Sequence, residues 1–345
     1  MAGLIRYDNG DKVVDTQKIV TSTWSGNTNN ANAFAAFSSS GAGTSIASTA
    51  SAAFFIEIYN TASNSITKET QYAVAYGHKK GSGSLDFTND TGAEGNSAAR
   101  VIYNQYRQLV YGDETSDFNF EGTTPDSIYV ININRARYKH NLKAGSLNLI
   151  LSGSNAGSAH GTIKLTDDSV STSGSATITN AGRQFNLVSG SSGVRSGSTT
   201  VQTVSGSYGF FYPDSGFIIL NPRALSMSIA ISESVGANEN NHNHHLFKNA
   251  ISGGNSFIVD SEEKVTSQYF FTRAKNNEFN YTTNPSFIDD NGNLNFTSMV
   301  DNPKTFITTI GLYNDSNDLV AVAKVSQPIA KDFSKEALIR VKLDY

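Results

Sequence analysis

The side chains best suited to chemistry in this chain are few and scattered. Three imidazoles crowd into Asn241-His242-Asn243-His244-His245, and imidazole ligates zinc, nickel or copper. No carboxylate adjoins them. In an extended segment His242 and His244 point one way and His245 the other, so the three do not converge on one ion. A polar loop entering a helix explains the run as well. Gly77-His78-Lys79-Lys80-Gly81-Ser82-Gly83-Ser84 has the glycines and lysines of a phosphate cradle. Its spacing is not G-x-x-x-x-G-K-[ST], and no helical pattern follows it directly, so a basic loop at a strand end is expected. Asp289-Asp290-Asn291-Gly292-Asn293 resembles part of a calcium loop, but lacks the glutamate at position twelve and the flanking helices. Asx turn chemistry explains it without an ion. Asp167-Asp168 is an adjacent carboxylate pair with no second pair beside it, and a solvated turn is expected there. No G-x-S-x-G elbow occurs. These residues point to no catalytic constellation, no metal site and no cofactor, and the chain is expected not to be an enzyme.

The elements that would position any site are mostly strands. Lys12–Trp24, Ala53–Tyr59, Gln71–Tyr76, Ser127–Asn134, Ser146–Leu151, Gly161–Leu165, Gln184–Val188 and Gly216–Leu220 are β-branched, aromatic or alternating. Gly, Ser, Asn and Asp clusters separate them, which predicts many short antiparallel strands. One amphipathic helix is expected near residues 96–111, where Ala98, Val101, Ile102, Tyr106, Leu109 and Val110 recur at helical steps. Asn96 or Ser97 would cap it and Gly112 would end it. A weaker helix is expected over His245–Ile251, ending at Gly253-Gly254, while Tyr138–Leu142 fits either state. The fold class expected is therefore mainly β, antiparallel and sandwich-like.

The C-terminal stretch predicts a three-strand module. Thr305–Tyr313 and Leu319–Val325 flank Asn314-Asp315-Ser316-Asn317-Asp318, the pattern of a hairpin with a longer loop. Pro328 is expected to interrupt, as suits a position outside a central strand, and a strand follows with Ala337, Ile339, Val341, Leu343 and Tyr345 on one face and Arg340, Lys342 and Asp344 on the other. A final strand of this kind ties down a chain end that would otherwise fray, as suits an interlocked part. The organisation expected is a β-rich region with one helix (1–151), a Ser/Thr/Gly-rich insertion (152–207) and a second β-rich region (208–345). Gly26–Ala52 is a further Asn/Ser/Ala/Gly-rich excursion. Polar stretches of such length need a reason in a compact domain, and contact with a neighbouring subunit supplies one.

Composition narrows the function classes. Only 16% of the 345 residues are charged, and Ser, Thr, Asn and Gly stand in their place. Charge depletion suits surfaces that become buried interfaces. A net charge of −4 lacks the basic footprint of a nucleic-acid binder. No run approaches the length of a membrane-spanning helix, and the first residues lack the apolar core of a secretory signal. The absence of cysteine excludes disulfides and thiolate chemistry and suits a reducing cytoplasm. Asn280-Tyr281-Thr282 and Asn295-Phe296-Thr297 match glycosylation acceptors, which matter only in a secreted eukaryotic protein. Tyr269-Phe270-Phe271 and Phe210-Phe211-Tyr212 are the places for a glycan-stacking platform, though strand cores use such runs more often.

Five segments form a familiar ordered set. They are IRYDNGDKVVDTQKIVTSTWSGN (Ile5 to Asn27), YAVAYGHKKGSGS (Tyr72 to Ser84), VIYNQYRQLVYGDE (Val101 to Glu114), SIYVININRARYKHNLKAGSLNL (Ser127 to Leu149) and the stretch from Phe279 to Tyr345. Together they resemble virion structural proteins of T4-like contractile-tailed phages of marine cyanobacteria and relatives. The resemblance weakens in Gly26–Ala52 and Ser152–Ser207. It implies a virion tail protein, assembled in the bacterial cytoplasm and associated with the baseplate. The implied partners are other tail proteins in a symmetric multimer, and the implied role is holding neighbours in place. A host-surface glycan-binding module or a neck protein is the alternative. Candidate contact residues are Lys79 and Lys80 in the basic loop and Arg340, Lys342 and Tyr345 in the last strand.

Overall fold

The computed structural model describes residues 4–27, 38–39, 55–62, 64–81, 98–155, 158–171, 176–196, 206–229, 243–281 and 284–345. In chain order the first strands are β1 (Lys12–Ser22), β2 (Ser38–Ser39), β3 (Phe55–Tyr59) and β4 (Thr70–His78). Helix α1 (Ala98–Tyr111) precedes β5 (Ser127–Ile133), β6 (Asn141–Leu142), β7 (Asn148–Asn155) and β8 (Ser158–Asp167). Then come β9 (Thr177–Thr179), β10 (Gly182–Ser191), β11 (Val194–Arg195), β12 (Gly209–Tyr212) and β13 (Phe217–Leu220). Helices α2 (Pro222–Ile229) and α3 (Asn243–Gly254) lead to β14 (Ser256–Ile258) and β15 (Asp260–Ala274). The short α4 (Ser298–Asp301), β16 (Thr305–Tyr313), β17 (Leu319–Lys331) and β18 (Ala337–Asp344) complete the series. The chain is mainly β and its described strand pairs are antiparallel, as expected from the turn-punctuated runs.

Two compact units result. One is 19–263; the other joins 1–18 to 264–345. This division differs from the three regions expected. The 152–207 segment is not set apart: β8 and β10 are inner strands of the larger unit's sheet. The strands expected at Gly161–Leu165 and Gln184–Val188 are present and longer, as β8 and β10, because small polar residues weaken the period-two signal at their ends.

The larger unit is built on one long sheet in the order β14-β7-β8-β10-β12-β13-β5-β4-β3-β2, with β9 and β11 also on β10. Its middle is buried on both faces. Tyr129, Ile131 and Ile133 of β5 enter one core, while Ile128 and Val130 enter another. Ile218 and Leu220 against Phe217 and Ile219 repeat the division in β13, as Phe211 against Phe210 and Tyr212 does in β12. Successive side chains of a strand point to opposite faces, so the two cores flank the sheet. Helices cover both. Ile102, Tyr103, Tyr106 and Val110 of α1 join one core; Leu225 of α2 and Phe247 and Ile251 of α3 join the other. Burial on both faces explains the near-continuous apolar runs FIIL and GFFY.

Local chemistry sets the helix ends. Gly112 follows α1 at φ +75, and its N–H donates to the Gln108 carbonyl at 2.9 Å. That left-handed position at a helix end favours glycine. Gly254 closes α3 for another reason: a Cβ there would stand 1.8 Å from the Ile150 carbonyl oxygen, so the helix end lies directly on the β7 backbone. The single tryptophan, Trp24, is buried, donates its indole N–H to the Phe257 carbonyl at 2.9 Å and meets the Phe257 ring edge-on.

The smaller unit has less to bury. In its sheet β15 lies between β1 and β18, and residues 267–274 pair with 344–337 in unbroken register. The last strand therefore pairs within its own chain. Even Tyr345 exchanges both backbone bonds with Thr266, at 2.9 and 3.0 Å. The expected alternation holds, with Ala337 and Val341 buried and Arg340 and Lys342 outward. β16 and β17 form the expected hairpin around residues 314–318, as a two-stranded sheet of their own, but β17 does not stop at Pro328: pairing resumes beyond it, with Ile329, Ala330 and Lys331 opposite Ile307, Phe306 and Thr305.

Candidate functional site

A cleft of about 560 Å³ opens on the α1 side of the larger unit's sheet. Pairing registers build its floor from two cross-strand rows. Glu57, Ala73 and Asn132 stand side by side on β3, β4 and β5; Phe55, Ala75 and Val130 form the next row. Alanine in the middle of each row leaves the depression. Ile102, Gln105 and Tyr106 of α1 make one wall. Asn134, Arg135 and Tyr138, from the turn after β5, make the other with Ser215.

The polar groups here are held in place. The Tyr106 phenol bonds to Asn132, and burial pushes its pKa up to about 12. Tyr59 donates to Glu57 at 2.5 Å; burial first, then this neighbouring carboxylate, pushes that phenol to about 12 as well. Asn134 accepts from the Ala136 N–H at 2.9 Å. Arg135 lies 4.6 Å over the Tyr138 ring and donates to the Tyr138 carbonyl at 2.6 Å. Asn132 is the one exposed residue of the otherwise buried β5. A polar residue interrupting SIYVINI is the signal by which sequence could have marked this floor. Glu57 and Arg135 carry no such mark, because register and a turn bring them in.

A second feature belongs to the smaller unit. Its described residues bury few apolar side chains: Ala274, Pro303, Leu312, Ala337 and Val341. Exposed ones are far more numerous. They include Val13 and Val14 on β1, Phe306 on β16, Val320 and Val322 on β17, and Leu338 on β18. Phe306 is 62% exposed and Val320 67%. A two-stranded hairpin alone is marginal in water.

The residues singled out in the sequence fall apart. Lys79 and Lys80 lie in the larger unit; Arg340, Lys342 and Tyr345 lie in the smaller. Lys79 is tied down, bonding Asp117 at 2.5 Å, and Asp117 also takes Arg107 at 3.3 Å. Lys80 is exposed. Ser82–Ser84 and His242 lie outside the described residues, as do Asn96, Ser97 and most of Gly26–Ala52. Arg340 and Lys342 both stand over the Tyr269 ring, at 5.4 and 6.0 Å, and Lys342 pairs with Asp344 at 2.9 Å. Tyr345 is exposed and its hydroxyl meets the Gln268 amide at 2.5 Å.

The solvated turn expected at Asp167-Asp168 is corrected: both residues are buried. Asp167 accepts from the Gly145 N–H at 2.7 Å and from Ser169, while Asp168 accepts from the Asn186 N–H at 3.0 Å. Burial pushes both carboxyl groups up. Their hydrogen-bond partners differ, and the Asp167 carboxyl adds to the upward push on Asp168. Asp289 behaves as the turn reading requires, taking the N–H groups of Asn291 and Asn293 at 2.9 and 2.7 Å. Among the described residues no group of His, Asp and Glu is arranged to hold a metal. His244 is buried at the start of α3. Asn280 is engaged: it donates to the Asn276 carbonyl and accepts from the buried Lys331 at 2.8 Å. Phe210–Tyr212 are core, and Tyr269 and Phe270 are overlain by cations. Among the described residues no helix is long and apolar enough to cross a membrane.

Comparison with family models, with curated proteins and with solved structures gives no match.

Proposed function

We propose that this chain is a structural subunit of a contractile phage tail, associated with the baseplate, holding neighbouring subunits in the virion. The observation that carries the assembly role is the smaller unit's surface. Its hairpin exposes apolar side chains along both strands, and it buries too little to be its own reward. A neighbour that covers β16 and β17 supplies the missing burial. Symmetric repetition then multiplies each modest contact. The five ordered segments that resemble T4-like tail proteins support the placement in a tail. The neck or tail-completion region is the alternative place. No catalytic role is assigned. Mass spectrometry of extensively washed virions tests the reading: the chain stays with the particle at a fixed copy number, and its absence would sink the proposal. A second reading, recognition of a host-surface glycan, is favoured by the cleft beside α1.

A further inference from the structure

The cleft on the α1 side of the sheet has a lining that discriminates between ligand classes. Its charged side chains are one carboxylate, Glu57, and one guanidinium, Arg135, the latter already laid on Tyr138. A phosphate-bearing or polyanionic ligand needs an excess of cations, and the opposite excess would be needed for a polycation. Neither is present in the lining. An extended peptide commonly binds by adding to an unpaired sheet edge. The cleft floor is instead a face of β4 and β5, inner strands already hydrogen-bonded on both sides. It offers side chains, not main chain. Those side chains are amides, a phenol and an exposed aromatic: Gln105, Asn132, Asn134, Tyr106 and Phe55. Asn132 and Asn134 are each fixed by one internal bond, and a primary amide has further donors and acceptors to give. Groups fixed in advance lose little entropy on binding.

From this we infer that the cleft binds a neutral oligosaccharide. Vicinal hydroxyls meet amides that both donate and accept, and the apolar face of a sugar ring lies on Phe55. Glu57 and Asn132 sit two strands apart, about 10 Å along the row, with Ala73 between them. A short saccharide chain fits that row, crossing the strands.

Isothermal titration of the full chain with maltohexaose, cellohexaose, laminarihexaose and mannohexaose tests the inference, with hexagalacturonate as the charged control. At least one neutral hexasaccharide is expected to saturate, with a Kd between about 10 μM and 1 mM. Asn132→Ala and Ala73→Val, each verified as folded by its melting transition, are expected to weaken it about tenfold or more. Hexagalacturonate is expected to bind at least tenfold more weakly. No saturation by any neutral sugar up to about 10 mM overturns the inference. So does binding that both folded variants leave unchanged, or uronate binding as tight as neutral binding.

Discussion

The larger and smaller units are made from the same secondary structure and differ in what covers it. In 19–263 the central strands β5, β12 and β13 are buried on both faces by helices and by their own alternating side chains, apart from Asn132 on the cleft floor. In 1–18 with 264–345 the strands are as long or longer, yet most positions of β16, β17 and β18 stay at least partly in solvent. Strands therefore form here with or without a second layer over them. The larger unit buries a core on each side of its sheet and the smaller one buries little, and on the proposed reading a neighbouring subunit covers what the smaller one leaves exposed.

The largest test of that contrast is a core truncation. Phe211→Ala in the larger unit removes a side chain wholly out of solvent and is expected to cost about 3–5 kcal/mol in urea unfolding. Val322→Ala on the hairpin, at an exposed position, is expected to stay within about 0.5 kcal/mol in the isolated chain. Equal losses would erase the distinction between the units.

A smaller effect separates two members of one charge cluster. Arg107 is buried, donates to the Glu114 carbonyl and to Asp117, and lies 4.8 Å over Tyr103. Arg107→Ala is expected to destabilise by roughly 2–3 kcal/mol, below the value for a wholly buried pair because Asp117 is partly exposed. Lys79→Ala is expected to cost at most about 1 kcal/mol, since both partners of that pair are a third exposed. The reverse order would restore Lys79 as the important cation.

The smallest expected effect is a pH slope in the larger unit. Burial raises the Asp167 pKa above its unfolded value, against the opposing bonds from Ser169 and Gly145. A raised carboxyl binds its proton more tightly in the folded state. Its contribution to stability is full below the unfolded pKa and is lost as pH rises through the folded one. Asp167→Asn is thus expected to flatten the fall in stability across that interval and to leave the neutral-pH protein equally or more stable. Chemical denaturation from pH 3 to pH 8, at roughly unit steps, reads this directly.

Much of the fold was legible in the sequence because alternation is a local property. Ala337 to Asp344 announced its faces, and the 314–318 turn announced its hairpin. Gly112 announced the end of α1. What was not legible depends on distant partners. The pairing of β18 with β15 spans some seventy positions, and nothing local specifies it. Asp167 reads as a turn residue beside Ser169, and only the arrival of Gly145 and the neighbouring strands buries it. The cleft was the least legible of all. Its floor is a register, with Glu57 against Ala73 and Ala73 against Asn132, and only the lone polar residue inside a buried strand hinted at it.

Hydrogen exchange along β16 and β17, in the isolated chain and in purified virions, tests the central claim most directly. The account predicts fast exchange of these amides in the isolated chain, while β5 and β13 stay protected, and strong protection of the hairpin in the particle. A hairpin as protected alone as in the virion, or one that still exchanges freely in the assembled tail, would contradict it.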